Sequence, residues 1–183
     1  MPQDTNQIRV GANGKVLVAP VGTTAPADYA ASWPAGWIDL GYTSEDGVKI
    51  SDSKDMEEIE VWQLFYAARR VITKRDFTLE FTLRQWSKYT VPFAFGGGTI
   101  SAAGAGYKYS PPSAATIDER AMGIEFVDNT TVYRFIVPRG LVSDAVETTA
   151  VRNAAADLPI KFGIIGQASV DPYTILTNDP AFA

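Results

Sequence analysis

From residue 77 to residue 86 the chain reads FTLEFTLRQW, with Phe77, Leu79, Phe81 and Leu83 on one phase and Thr78, Glu80, Thr82 and Arg84 on the other. Strict alternation with aromatic and β-branched members predicts a strand with one buried face. Residues 123–127 and 132–137 show the same alternation, with Met122, Ile124 and Phe126 on one side and Tyr133, Phe135 and Val137 across from them. Asp128 and Asn129 stand between as a turn pair, so the two segments predict a hairpin. PIKFGII, residues 159–165, predicts another strand with Ile160, Phe162 and Ile164 inward. Residues 14–19, 37–40, 47–51 and 57–62 are weaker strand candidates.

Helical periodicity is sparse. Residues 87–95 (SKYTVPFAF) predict one short helix, with Ser87 as N-cap and Gly96 to Gly98 as the stop. Pro92 is awkward inside that helix, because it removes a backbone donor and crowds the preceding turn. QLFYAARR, residues 63–70, has room for two helical turns, although Val71, Ile72 and Thr73 beside it favour strand. Residues 19–34, the glycine-rich 96–112 and the tail from Ser169 lack periodicity and predict loops or arms. The expected fold is mainly β: an antiparallel sandwich or barrel with one short flanking helix and extended loops. One domain is expected over residues 1–183, with an N-terminal arm at 1–13 and a C-terminal extension at 169–183.

Composition narrows the chemistry. The 183 residues include no cysteine and no histidine. That removes disulfides, thiolate metal sites, the histidine general base and the commonest zinc ligand together. Carboxylate or lysine catalysis survives, but Glu57, Glu58, Glu60 and Glu80 show no spacing that selects a glycosidase pair. No enzyme and no cofactor are expected. The net charge of −5 does not attract phosphate backbones, and the basic stretch RRVITKR carries no interleaved aromatics for stacking nucleotides. Apolar runs are far shorter than the ~20 residues that span a bilayer, and MPQDTNQIRV does not resemble a signal peptide.

Several motifs have ordinary explanations. In the acidic segment EDGVKISDSKDMEEIEVW, Lys54 occupies a position where a calcium loop needs an oxygen ligand, so no metal is expected. GGGTIS lacks the lysine of a phosphate loop. Four tryptophans in a β protein are usually core or interface residues. Trp62 and Trp86 fall at strand ends or on polar phases, which points to a subunit contact.

The order of three blocks carries a resemblance. The first is GKVLVAPVGTTAPAD followed by WIDLGYTSEDGVKIS. The second is EEIEVWQ, a basic segment, and FTLEFTLRQWS running into KYTVPFAFGGG. The third is MGIEFVDNTTVYRFIVPRG with LPIKFGIIG. Together, over residues 14–167, they resemble the major tail (tail tube) proteins of long-tailed siphophages, those of actinobacterial hosts above all. Type VI secretion tube proteins share a related fold. The resemblance implies a structural virion protein whose hexameric rings stack into a tail tube that conducts DNA into the host. It implies self-association, with tape measure, tail terminator and baseplate or initiator proteins as further partners. Assembly would take place in the host cytoplasm, without membrane insertion. A type VI secretion-type tube protein is the second structural possibility, and a β-sandwich carbohydrate-binding module built on the tryptophans is the alternative from another class.

On that reading Glu58, Glu60, Thr78, Glu80 and Thr82, on the polar phases of the best strands, are candidates for the lumen. An acidic wall within one or two Debye lengths (~8 Å each) would offer DNA no long-lived site. The acidic segment becomes a long hairpin whose loop reaches an adjoining subunit, with Ser51, Asp52, Ser53, Lys54, Asp55, Trp62 and Trp86 as contact candidates.

Overall fold

The computed structural model describes residues 5–114 and 116–182, so residues 1–4 of the expected N-terminal arm lie outside the described residues. After a short 3-10 turn, Thr5–Gln7, come β1 (Asn13–Pro20), β2 (Ile38–Asp39), β3 (Thr43–Ile59) and β4 (Arg69–Leu83). The single α-helix among the described residues, α1 (Thr90–Ala94), precedes β5 (Thr99–Ala103) and β6 (Gly106–Ser110). Then follow β7 (Arg120–Asp128), β8 (Thr131–Val142), β9 (Leu158–Ile164), β10 (Thr174–Thr177) and a 3-10 turn, Pro180–Phe182.

The main sheet runs β2-β1-β7-β8-β9-β4-β3, every pair antiparallel. Strand β8 is where it folds over. Along one side β8 pairs with β7; along the other, its first half (Tyr133 to Ile136) pairs with β10 and its second half (Gly140 to Val142) with β9. The change of partner coincides with a β-bulge opposite Arg120 and Met122, in the stretch that contains Pro138. A proline without an N–H and an extra residue both bend a strand and increase its twist. Bending brings Val16 and Val18 of β1 and Met122 and Ile124 of β7 against Leu79 and Phe81 of β4 and Ile160 and Phe162 of β9, in one buried cluster. Phe93 and Ala94 of α1 join that cluster. The sheet ends at β2 and β3 without joining, so the fold is a sandwich and not a closed barrel.

The β7–β8 hairpin has the expected pairing, with Met122 opposite Val137, Ile124 opposite Phe135 and Phe126 opposite Tyr133. Its turn falls one residue later than expected, on Asn129 and Thr130, and Asn129 takes the left-handed conformation (φ 53°). Helix α1 starts three residues beyond Ser87, whose Oγ instead accepts from the N–H groups of Tyr89 and Thr90. That start places Pro92 in the first turn, where a missing N–H costs nothing.

Four expectations need correction. Residues 63–70 form no helix; they lie in the β3–β4 connection and the first two residues of β4. The two weak strands at 47–51 and 57–62 are parts of one strand, β3, that stops at Ile59 and leaves Trp62 in the connection. The glycine-rich segment is no structureless excursion. Its residues form the β5–β6 hairpin, anchored where the Tyr109 hydroxyl donates to the Gly97 carbonyl. The segment from Ser169 contributes β10 to the main sheet, and Tyr173 stacks between Phe77 and Phe135.

Candidate assembly interface

Strands β3 and β4 form a hairpin with two different halves. From Phe77 to Leu83 the residues of β4 alternate between buried and half-buried; from Arg69 to Asp76 all are exposed. The partner residues 52–59 of β3 leave the sandwich with them. At ~3.3 Å per residue, the eight exposed residues of β4 project about 25 Å. Opposite-charge pairs across the strands hold this arm together: Asp52 accepts from Arg75 Nε and Nη2 (3.0 and 2.8 Å), and Glu58 takes Arg70 (2.7 Å). Arg75 depresses the Asp52 pKa, first through the hydrogen bond and then through its charge. Met56 and Ile72 stand opposite each other beside a bulge that leaves Thr73 as the extra residue. Water and salt screen exposed pairs of this kind, so each contributes little to stability.

The arm ends in a loop of residues 60–68, closed by a hydrogen bond from the Ala68 N–H to the Ile59 carbonyl (2.8 Å). Its large side chains are apolar or aromatic and face solvent: Trp62 is 99 % exposed, Tyr66 86 %, Phe65 fully and Leu64 more than half. At the other end of the hairpin lies a second exposed aromatic group. Tyr42 precedes β3, its carbonyl accepting from the Arg84 N–H (2.9 Å) and its own N–H donating to Gln85 Oε1 (2.8 Å). The tight approach depends on Gly41 (φ 81°), where a Cβ would overlap the Gln85 amide. Two residues beyond Arg84, Trp86 is half exposed, with its indole N–H on the Ala156 carbonyl (2.6 Å). Tyr89 follows, with the Lys88 ammonium over its ring.

The outer face of β4 presents Thr78, Glu80 and Thr82 together, opposite Gly163, Lys161 and Pro159 of β9. Glu80 lies between two lysines, Lys49 at 2.9 Å and Lys161 at 3.8 Å, and the bond to Lys49 is the main reason its pKa is lowered. Glu80 is therefore paired with lysines on both sides, and Asp46 lines the same surface pocket as Lys49 and Glu80. Glu58 and Glu60 are not brought to this face: Glu58 is on the arm against Arg70, and Glu60 opens the tip loop. Of the expected contact residues, Ser51, Asp52, Ser53, Lys54 and Asp55 are not loop but ladder residues of β3, opposite Thr78, Phe77, Asp76, Arg75 and Lys74. Trp62 and Trp86 lie at opposite ends of the hairpin. The turn sits further along the chain because the acidic run pairs with the basic run RRVITKR.

Two polar clusters pin long segments to the sandwich. Glu125 receives Lys15 (2.9 Å), Arg134 (2.6 Å) and the Trp33 indole N–H (3.0 Å), while Arg134 also donates to the carbonyls of Asp28 and Ala31. Burial pushes the Glu125 pKa up; hydrogen bonds from Lys15 and Trp33 and the nearby charges outweigh it, and the net shift is downward. Trp33 packs edge-on to Trp37 and directly over Gly123, where a Cβ would overlap the indole. At the turn end of β7–β8, Asp179 accepts from the Tyr133 hydroxyl and from Arg9 (2.8 Å), which ties the N-terminal and C-terminal segments together. The Tyr133 and Arg9 hydrogen bonds, then the Ala181 N–H, hold the Asp179 pKa down at about 2.

The four tryptophans therefore occupy three separate places and form no shared platform. Among the described residues no group of three or more Asp or Glu is placed to hold a metal ion, and no helix is long and apolar enough to cross a membrane. Leu64, Phe65, Tyr66 and Tyr42 were not singled out from the sequence. The signal was there: EEIE and RRVITKR are charge-complementary strands flanking a short apolar segment.

A family model described as phage tail tube protein matches the chain over residues 1–183. None of the curated proteins compared matches it.

Proposed function

The chain belongs to the phage tail tube protein family, and from that premise we propose that it forms rings, hexameric by the family resemblance, that stack into the DNA conduit of a siphophage tail. Membership makes it a structural protein of the virion tail that self-assembles into a tube. The observation that carries the finer reading is the β3–β4 arm, which carries exposed aromatic side chains beyond the sandwich. A side chain of that size facing water gains by burial in a neighbour. The long outer edge of β3 and the short β2 at the other end of the sheet support lateral closure. In a closed ring each edge is covered by the next subunit instead of remaining open to uncontrolled pairing. The protein acts without catalysis, cofactor or metal. Tape measure, terminator and baseplate proteins are its further partners, and it assembles in the host cytoplasm.

The bore is proposed to be lined by the outer face of β4 with Thr78, Glu80 and Thr82. Glu80 pairs with Lys49 and Lys161, two cations that would otherwise be free to hold phosphate. Glu80→Gln releases Lys49 and Lys161, and virions carrying it are expected to eject DNA more slowly. Ejection at the normal rate would remove this face from the bore. The assembly reading itself is tested by negative-stain microscopy of concentrated protein, where hollow tubes or stacked rings are expected.

A further inference from the structure

Among the asparagines, Asn13 alone is followed by glycine; the others precede Gln7, Thr130, Ala154 and Asp179, each with a Cβ that crowds the approach of the next nitrogen. In an Asn–Gly step the glycine nitrogen can reach the carbonyl carbon of the asparagine side chain. Two conditions apply: the side-chain amide must be free, and the nitrogen must not be tied into a ladder. The structure meets both. Asn13 is the exposed first residue of β1, and its side-chain amide makes no hydrogen bond to a described residue. Asn178, by contrast, is held at both ends of its amide, accepting from the Val132 N–H (2.8 Å) and donating to the Thr130 carbonyl (2.9 Å).

The Gly14 nitrogen is free for a reason of register. The Val16 carbonyl accepts from the Leu40 N–H (2.9 Å), so the alternate residues Gly14 and Val16 turn their backbone groups toward β2 and away from β7. Strand β2 lies opposite Leu17 and Val18 only. Tyr42, which would continue that register opposite Gly14, gives its carbonyl to Arg84 and its N–H to Gln85. Strand ends fray, and fraying at the first residue of β1 supplies the backbone rotation that the approach requires.

We propose that Asn13–Gly14 is a site of spontaneous covalent modification, where the folded chain deamidates itself. The Gly14 nitrogen bonds to Asn13 Cγ and loses its proton; the Cγ–Nδ2 bond breaks, and ammonia leaves with a proton in exchange. Water then opens the cyclic imide at either carbonyl, which gives aspartate or isoaspartate at position 13. Either product adds one negative charge to the net −5. The new carboxylate stands in the pocket lined by Lys15, Glu125 and Val127 and competes with Glu125 for Lys15. Isoaspartate also lengthens the backbone between β1 and Arg9, which loosens the Arg9–Asp179 clasp. None of this depends on the tube reading.

The full chain is aged at mildly alkaline pH in heavy-oxygen water, digested and read by mass spectrometry. The expected result is loss of the amide at residue 13 ahead of Asn129, Asn153 and Asn178, with a single solvent oxygen in the product and no conversion at that position in Asn13→Gln. The same chain in concentrated urea serves as the reference. An intact Asn13 in the folded protein beside conversion in urea would show that the strand protects the step, and would overturn the proposal. Conversion no faster than at Asn129 or Asn153 would overturn it equally. In the aged, more acidic fraction, amide protection over residues 174–182 is expected to be lower than in fresh protein; equal protection would overturn the effect on the clasp.

Discussion

One strand, β4, contains both regimes of this molecule. From Phe77 to Leu83 every second side chain is buried, Leu79 and Leu83 completely; from Arg69 to Asp76 none is. The first half is held by the sandwich core, and the second by cross-strand ion pairs and a ladder whose other side is water. Burial of a large apolar side chain contributes about 1.5–3 kcal/mol, against at most ~1 for an exposed charge pair. A chain that extends a strand this far beyond its core gains little in stability as a monomer. The inner half serves folding, and the outer half is the part that the proposed assembly would bury.

The comparison breaks first at the core. Phe162→Ala, at a fully buried ring, is expected to cost about 3–5 kcal/mol in denaturant unfolding, and the same truncation at Phe65 almost nothing. Next comes Gly140→Ala, where the added Cβ would overlap the Phe162 ring and lie 2.6 Å from the Gly163 carbonyl. Overpacking against backbone predicts a loss of about 1–3 kcal/mol. Acid acts on a third region. Because the Asp179 carboxyl titrates at about 2 in the folded chain instead of at 3.8, its stabilisation is complete above about pH 4 and lost as pH falls through 2. Amide protection in residues 174–182, measured relative to the intrinsic exchange rate at each pH, is expected to fall over that window before protection in β4 and β9 does. The smallest effect on the monomer sharpens the contrast most. Trp62→Ala with Phe65→Ala should shift unfolding by no more than about 0.5 kcal/mol per site and yet abolish assembly. A large loss of monomer stability would mean that the tip packs on its own chain.

The inner half of β4 was legible in the sequence because its alternation records burial within the same chain. The β7–β8 pairing and the inward side of β9 were legible for the same reason. The outer half has no buried face in the monomer, so its residues carry no period. QLFYAARR was therefore compatible with a helix, and the acidic run looked like a loop instead of the partner of RRVITKR. Strand β10 was missed because its four residues pair through backbone groups, with the anchoring done by Tyr173 and Asp179 outside it. At the proposed bore, Thr78, Glu80 and Thr82 share one face as their phase implied. The two lysines around Glu80 come from β3 and β9, and no local pattern foretells such a meeting. Tyr42 and Trp86 are likewise joined only by the ladder.

The central claim is that an arm exposed in the monomer becomes buried in a tube. Electron microscopy of tubes grown from concentrated protein, at a resolution that traces the chain, tests it most directly. The account predicts hollow tubes in which residues 60–68 of every subunit are covered by another copy. Tubes whose hairpin tips project freely into solvent would contradict it.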